Sequence, residues 1–136
     1  MDNDAVSGLL AQHGVHPTSQ RLDIARLILG EPQHLCADEV LRRLQATGAR
    51  VSKATVYNTL KLFCDRGLLR TVDVDPVRQY YDSRTEPHHH FYNVDTGELT
   101  DIDPDEIDLT ISAALPTGTV SAGAEVLIRV RSQPAG

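Results

Sequence analysis

Three of the chain's six histidines stand in a row within Glu86-Pro87-His88-His89-His90-Phe91-Tyr92. Imidazole is the commonest protein ligand for transition metals, so the run is the first place to look for chemistry. Phe91, Tyr92 and Val94 favour extended backbone, and alternate side chains of a strand point to opposite faces. His88 and His90 therefore share one face and His89 takes the other, so one segment can serve two sites. Without a ligand the same residues would form a polar surface strand. An internal position argues against a purification tag. Two imidazoles fill only part of a shell of about four to six ligands. Asp82, Asp101 and His34 are candidates to complete it. Such a shell is mixed histidine and carboxylate without sulfur, which suits Fe(II), Mn(II) or Zn(II). On the opposite face His89 could join Asp108 and Glu125.

A second constellation carries positive charge. Lys53, Tyr57 and Lys61 recur at i, i+4 and i+8, with Asn58 beside them, so one helix stripe offers two cations, a phenol and an amide. In a major groove these would meet phosphates and base edges. Thr55, in the first turn of that helix, and Arg21, outside the apolar stripe of an earlier one, extend the set expected to face DNA. The plainer alternative is a solvated helix face.

The elements that must position these residues follow from caps and periodicity. A first helix is expected over roughly Ala5 to His13, with Val6, Leu9 and Leu10 at helical spacing and Gly14 as the stop. Thr18 caps a second, whose Leu22, Ala25, Ile28 and Leu29 form its apolar stripe and which Gly30 and Pro32 end. His34 falls in the loop that follows. Cys36-Ala37-Asp38-Glu39 reads as a capping box with Cys in place of Ser or Thr, and Leu35 and Val40 as its staple, opening a third helix to Ala46 or Thr47. Ser52, with Val51 and Val56, opens the fourth in the same way, and Gly67 closes it. Leu69 to Val74 and Val77 to Tyr81 read as a hairpin turning at Asp75-Pro76. Helices followed by a hairpin make a winged helix-turn-helix. Beyond it, Asp95-Thr96-Gly97 turns a second hairpin, Pro104 opens a helix through about Ala114, and Glu125 to Arg131 forms a strand. The expected class is α+β, with a winged-helix DNA-binding domain over residues 1–83 and a small α/β domain over 84–136. The latter buries too little to be stable alone and leaves a strand edge to be paired, which dimerisation would answer.

Composition bounds the function. The net charge of -6 divides into +1 over residues 1–80 and -7 over residues 81–136, so the cations concentrate in the first part, where DNA contact is expected. No apolar run approaches the ~20 residues of a membrane span, and Met1-Asp2-Asn3-Asp4 is acidic where a signal peptide is basic, so a cytoplasmic protein without membrane attachment is expected. Cys36 and Cys64 form no Cys-x-x-Cys pair and read as small buried residues. An enzyme is not expected. Two His and a carboxylate also form the facial triad of non-haem iron oxygenases, but such a metalloenzyme needs an enclosing barrel that this chain has too few strands to build. A metal buffer that never touches DNA is the third class, and a DNA-binding measurement separates it.

His16-Pro17-Thr18-Ser19-Gln20-Arg21, His34 before Ala37-Asp38-Glu39, Ala54-Thr55-Val56-Tyr57-Asn58-Thr59-Leu60 and His88-His89-His90 together resemble the ferric uptake regulator (Fur) family of bacterial metal-dependent transcription factors. The likeness covers nearly the whole chain. It implies a homodimer that binds double-stranded operator DNA, a regulator (a repressor by this resemblance) of iron homeostasis, with a winged-helix domain hinged to a dimerisation domain. Position by position, the family's sensory metal site falls on His34, Asp82, His88, His90 and Asp101, and a second site on Pro87, His89, Asp108 and Glu125, where one ligand position is lost. The positions of the family's first Cys-x-x-Cys hold Asn93 and Thr96, so a cysteine-bound structural zinc is not expected. That absence, with the histidine triplet and Tyr-Asn-Thr-Leu, resembles most the iron response regulator (Irr) branch, which implies haem sensing through His88, His89 and His90. A Fe- or Mn-dependent repressor, or a peroxide sensor that oxidises a ligand histidine, is the alternative.

Overall fold

A computed structural model describes residues 2–74 and 77–135, and the chain divides into two compact units, Met1–Thr85 and Glu86–Gly136.

The first unit opens with helix α1 (Asn3–Gln12), which begins earlier than expected because the Asp2 carboxylate accepts from the Ala5 N–H at 2.8 Å. It ends where Gly14 turns at φ 73°, a left-handed conformation that selects glycine. Helix α2 (Ser19–Leu29) is capped as expected by Thr18, whose hydroxyl accepts from the Arg21 N–H at 3.2 Å. Helix α3 (Ala37–Ala46) follows Cys36, and helix α4 (Lys53–Asp65) follows Ser52, which accepts from the Thr55 N–H at 3.1 Å. Val6, Leu10, Ile24, Ile28, Val40, Val56, Leu60 and Phe63 are fully buried in one cluster. Each helix contributes the residues of one face, and spacing found all of these but Ile24: the stripe expected on α2 named Leu22 and Leu29, which are only partly buried.

The capping box expected at Cys36 is not made. The thiol receives no cap hydrogen bond, and the Glu39 carboxylate is instead held by Arg42 and Arg43. Sulfur is a weak acceptor and two guanidiniums are strong donors, so Glu39 turns outward. His34 is a second correction. It lies on a short strand β1 (His34–Cys36), not in a loop, and β1 pairs antiparallel with β3 (Gln79–Asp82), which pairs in turn with β2 (Arg70–Asp73) in the order β1-β3-β2. The wing hairpin is thus three-stranded. Its expected turn at Asp75-Pro76 lies outside the described residues.

The second unit is a three-stranded sheet in the order β5-β4-β6. Strand β4 (His89–Asn93) pairs antiparallel with β5 (Leu99–Ile102) and parallel with β6 (Leu127–Val130). The expected turn forms at Asp95-Thr96-Gly97, where the Asn93 side chain accepts from the N–H groups of Asp95 and Thr96 at 2.9 and 3.1 Å. The helix expected from Pro104 to about Ala114 does not. Only Pro104–Glu106 makes a 3₁₀ turn, and residues 107–114 are irregular, with Ile107 half-buried and the rest exposed. Ile107, Asp108, Thr110, Ile111 and Ser112 are weak helix formers, and no stripe of the segment is buried to compensate.

Candidate functional site

The histidine run is split by hydrogen bonding. The side chain of His88 is buried, and its Nδ1 lies 2.8 Å from the Glu86 carbonyl oxygen. A carbonyl only accepts, so the proton is on Nδ1 and the Nε2 lone pair is left for a ligand. That Nε2 stands 3.4 Å from Asp101 Oδ1, and the buried His90 presents its own Nε2 to the same oxygen at 3.4 Å. The two rings lie 4.4 Å apart, centroid to centroid. The register explains the convergence: His90 is the cross-strand partner of Asp101, and His88 precedes it by two residues on the same face. Two imidazole nitrogens and one carboxylate oxygen thus gather on one face of the second unit.

His89, on the other face, has the opposite arrangement. The backbone N–H of Val126 donates to its Nδ1 at 2.9 Å, which places the imidazole proton on Nε2. In that tautomer neither nitrogen offers a lone pair unless the bond to Val126 is given up. Asp108 and Glu125, expected beside it, are exposed, and among the described residues their carboxylates do not gather with His89.

In the first unit His34 and Asp82 are cross-strand partners on β1 and β3. Asp82 is buried, and its carboxylate accepts from the Arg84 N–H at 2.9 Å, a bond that orients it. A histidine and a carboxylate on neighbouring strands form a second partial ligand set, again free of sulfur.

The cysteines stand apart from both sets. Burial, and secondarily Asp65, push the Cys64 thiol up to about 11, so it is protonated and a poor ligand at neutral pH. Cys36 is half-buried at the start of α3.

Helix α4 presents Lys53, Tyr57, Asn58 and Lys61 at the surface, while Thr55 is half-buried and its hydroxyl is held by Ser52 at 2.9 Å. Arg21 is half-buried too, and donates to the His16 carbonyl at 2.9 Å, bridging the turn before α2. Lys61 pairs with Asp65 on its own helix at 3.5 Å. Lys53 lies 5.6 Å above the Tyr57 ring and 3.8 Å from Asp38, whose same oxygen accepts from the Tyr57 hydroxyl at 3.4 Å. Sequence reasoning missed Asp38, because it was absorbed into the capping motif. Its signal was an acidic residue in the first turn of the helix that precedes a basic stripe.

Compared with known proteins, the chain matches the Ferric uptake regulator family over residues 12–121. It is 34 % identical over 101 residues to the ferric uptake regulation protein of Rhizobium leguminosarum bv. viciae, a match covering 74 % of this chain and 71 % of that one. To the peroxide-responsive repressor PerR of Staphylococcus aureus (strain USA300) it is 32 % identical over 92 residues, covering 68 % and 62 %. The structure of the ferric uptake regulator from Pseudomonas aeruginosa with manganese aligns with a TM-score of 0.71 at 24 % identity, covering 98 % of this chain and 99 % of that one. The Vibrio cholerae ferric uptake regulator aligns at 0.73 and 21 %, covering 93 % and 98 %. The fold is theirs: an N-terminal helical part with a small sheet, followed by a second small sheet. Because the family match runs through the capped helices, the wing and the histidine strand alike, the chain belongs to the ferric uptake regulator family.

Proposed function

We propose that this member of a family of metal-responsive transcription regulators is a homodimeric repressor whose grip on operator DNA is set by one divalent ion. The observation that carries the reading is the convergence of His88 Nε2 and His90 Nε2 on Asp101 Oδ1, each at 3.4 Å. The ion would draw its remaining ligands from His34 and Asp82 of the winged-helix domain. With domains over 1–83 and 84–136, occupancy then restrains the hinge between them. The donor set fits Fe(II), Mn(II) or Zn(II), since it holds imidazole and carboxylate and no thiolate. Structures similar to this one are those of a Pseudomonas aeruginosa regulator with manganese and a Francisella tularensis regulator with iron. The stripe Lys53, Tyr57, Asn58 and Lys61, with Arg21 and Thr55 beside it, is the proposed DNA surface.

A ligand switches a protein only through its differential affinity for two states, and ~1 to 3 kcal/mol of coupling changes DNA affinity by about 5- to 150-fold. The test is operator binding by the metal-loaded and metal-free protein, beside the variant His88→Ala/His90→Ala. Metal-dependent binding that the double variant loses is the expected result. Equal metal content and equal DNA binding in the variant would remove the site from these residues.

Two finer readings have their own support. A histidine and carboxylate iron shell permits oxidation of a ligand histidine by peroxide, and a curated relative is a peroxide-responsive repressor. Peroxide given to the Fe(II)-loaded protein should then add oxygen to His88 or His90 and release DNA. Haem sensing of the Irr kind draws on the histidine triplet and on the missing cysteine pairs. It requires an imidazole lone pair, which His88 supplies at Nε2 and which His89 supplies only by releasing Val126. Haem added to the protein should then give an imidazole-ligated spectrum and weaken the operator complex.

A further inference from the structure

The cations on the exposed face of α4 are answered by carboxylates of different origin. Lys61 is paired by Asp65, four residues along its own helix, the ordinary local arrangement. Lys53 is paired by Asp38, which belongs to α3, and the same Oδ1 accepts from the Tyr57 hydroxyl. One carboxylate therefore holds two adjacent groups of the proposed DNA surface. Its contribution to folding is small, because its side chain is 71 % exposed and so open an ion pair adds little. As a first-turn acid it favours the start of α3, but Glu39 beside it does that as well. Behind it lies a cleft of about 380 Å³ lined by Tyr57 and by Arg78, Gln79 and Tyr80 of the wing, so the carboxylate stands between the helix and the wing with room to turn aside.

We propose that Asp38 is a specificity-determining residue of the DNA surface: it occupies Lys53 and Tyr57 and repels bare phosphate, so that only a sequence offering base-edge contacts displaces it. The inference rests on α4 being the DNA-reading helix. Non-specific binding comes almost wholly from cations neutralising phosphates, so a fixed carboxylate among those cations weakens it most. Specific binding adds hydrogen bonds to base edges, which can offset the release of Lys53 and Tyr57. Asp38 thus lowers affinity for all DNA and raises the ratio of operator to random sequence, a penalty on the wrong partner.

The experiment uses the full-length, metal-loaded protein and two duplexes, one of random sequence and one enriched from a random library by the wild type. Both are titrated between about 50 and 200 mM salt, the range over which phosphate contacts show their salt slope. Asp38→Asn should bind the random duplex about two- to fivefold more tightly, the worth of one exposed ion pair, with a steeper salt dependence and a lower ratio of enriched to random binding. Asp38→Glu should restore the wild-type ratio. A wild-type ratio in Asp38→Asn would overturn the proposal, as would weaker binding of the enriched duplex alone, which would make Asp38 a base reader. Lys53→Ala/Tyr57→Ala run in the same titration separates the two levels. Loss of binding there with wild-type behaviour of Asp38→Asn removes only the role of Asp38, and unchanged binding in the double variant removes α4 as the reading helix together with it.

Discussion

At His88 and His89 the same side chain is given opposite tasks by what faces Nδ1. A carbonyl oxygen at 2.8 Å holds the proton at Nδ1 and leaves Nε2 as the acceptor nitrogen; an amide N–H at 2.9 Å takes the lone pair and moves the proton to Nε2. Variants of the triplet should therefore separate. His88→Ala or His90→Ala should lower metal stoichiometry, and because both side chains are buried it should lower the metal-free unfolding midpoint as well. His89→Ala should keep the metal and lose about 1 kcal/mol in urea unfolding, because it leaves the half-buried Val126 amide without its acceptor. Metal loss in His89→Ala equal to that in His88→Ala would contradict the tautomer assignment. Cys64 gives a pH signature. Its thiol is held at about 11 against an ordinary value of 9.0, chiefly by burial. The folded state then binds more protons than the unfolded one between those values, and stability must fall as pH rises from about 9 to 11. Cys64→Ala should lose part of that decline, read as the urea midpoint against pH for both proteins.

Among the elements, the two N-caps of α3 and α4 form an internal comparison. Cys36 and Ser52 share nearly one backbone geometry, φ -83° ψ 161° and φ -83° ψ 157°, yet only Ser52 accepts a cap hydrogen bond. Ser52→Ala should cost about 1 kcal/mol, and Cys36→Ser should add up to about that much by supplying the missing acceptor. An unchanged unfolding free energy in Cys36→Ser would mean that the half-buried sulfur packs as well as a hydroxyl caps. On the α4 face, Lys61→Ala should reduce the salt slope of operator binding by about one per protomer if the ammonium meets a phosphate, and leave it alone if Lys61 only pairs with Asp65. Caps and apolar spacing were legible because they are local: Thr18, Ser52 and the inner face of α4 stand where their sequence signals put them. What was not legible depends on distant partners. Three residues cannot announce β1, which exists because β3 pairs with it, and that pairing brings His34 beside Asp82. Pro104 did start a turn, but the residues after it found no face to bury, and a start signal without packing gave a single 3₁₀ turn. In the candidate site the ligand types were readable and the tautomers were not, since Glu86 and Val126 take part through backbone atoms that no side-chain pattern encodes.

At the scale of the molecule, the first unit closes around one apolar cluster while the second buries little beyond Tyr92, Leu99, Ile102 and its histidines. Among the described residues no helix is long and apolar enough to cross a membrane. Leu109, Ile111, Leu115 and Val120 are exposed between β5 and β6. Among the described residues the parallel strand β6 pairs with β4 alone, and residues 103–126 separate it from β5. That strand therefore has its own clock. The amides of the central strand β4 point alternately to its two neighbours: His90 N–H and Val94 N–H donate to Val126 and Val130 on the β6 side, whereas Asn93 N–H donates to Glu98 on the hairpin side. Closing the short hairpin costs less loop entropy than recovering β6 across the long connection, so β6 opens first and re-forms last. In deuterated water His90 and Val94 should exchange together and ahead of Asn93, and the gap between them would time the release of a strand that carries no ligand and yet holds the middle histidine in place.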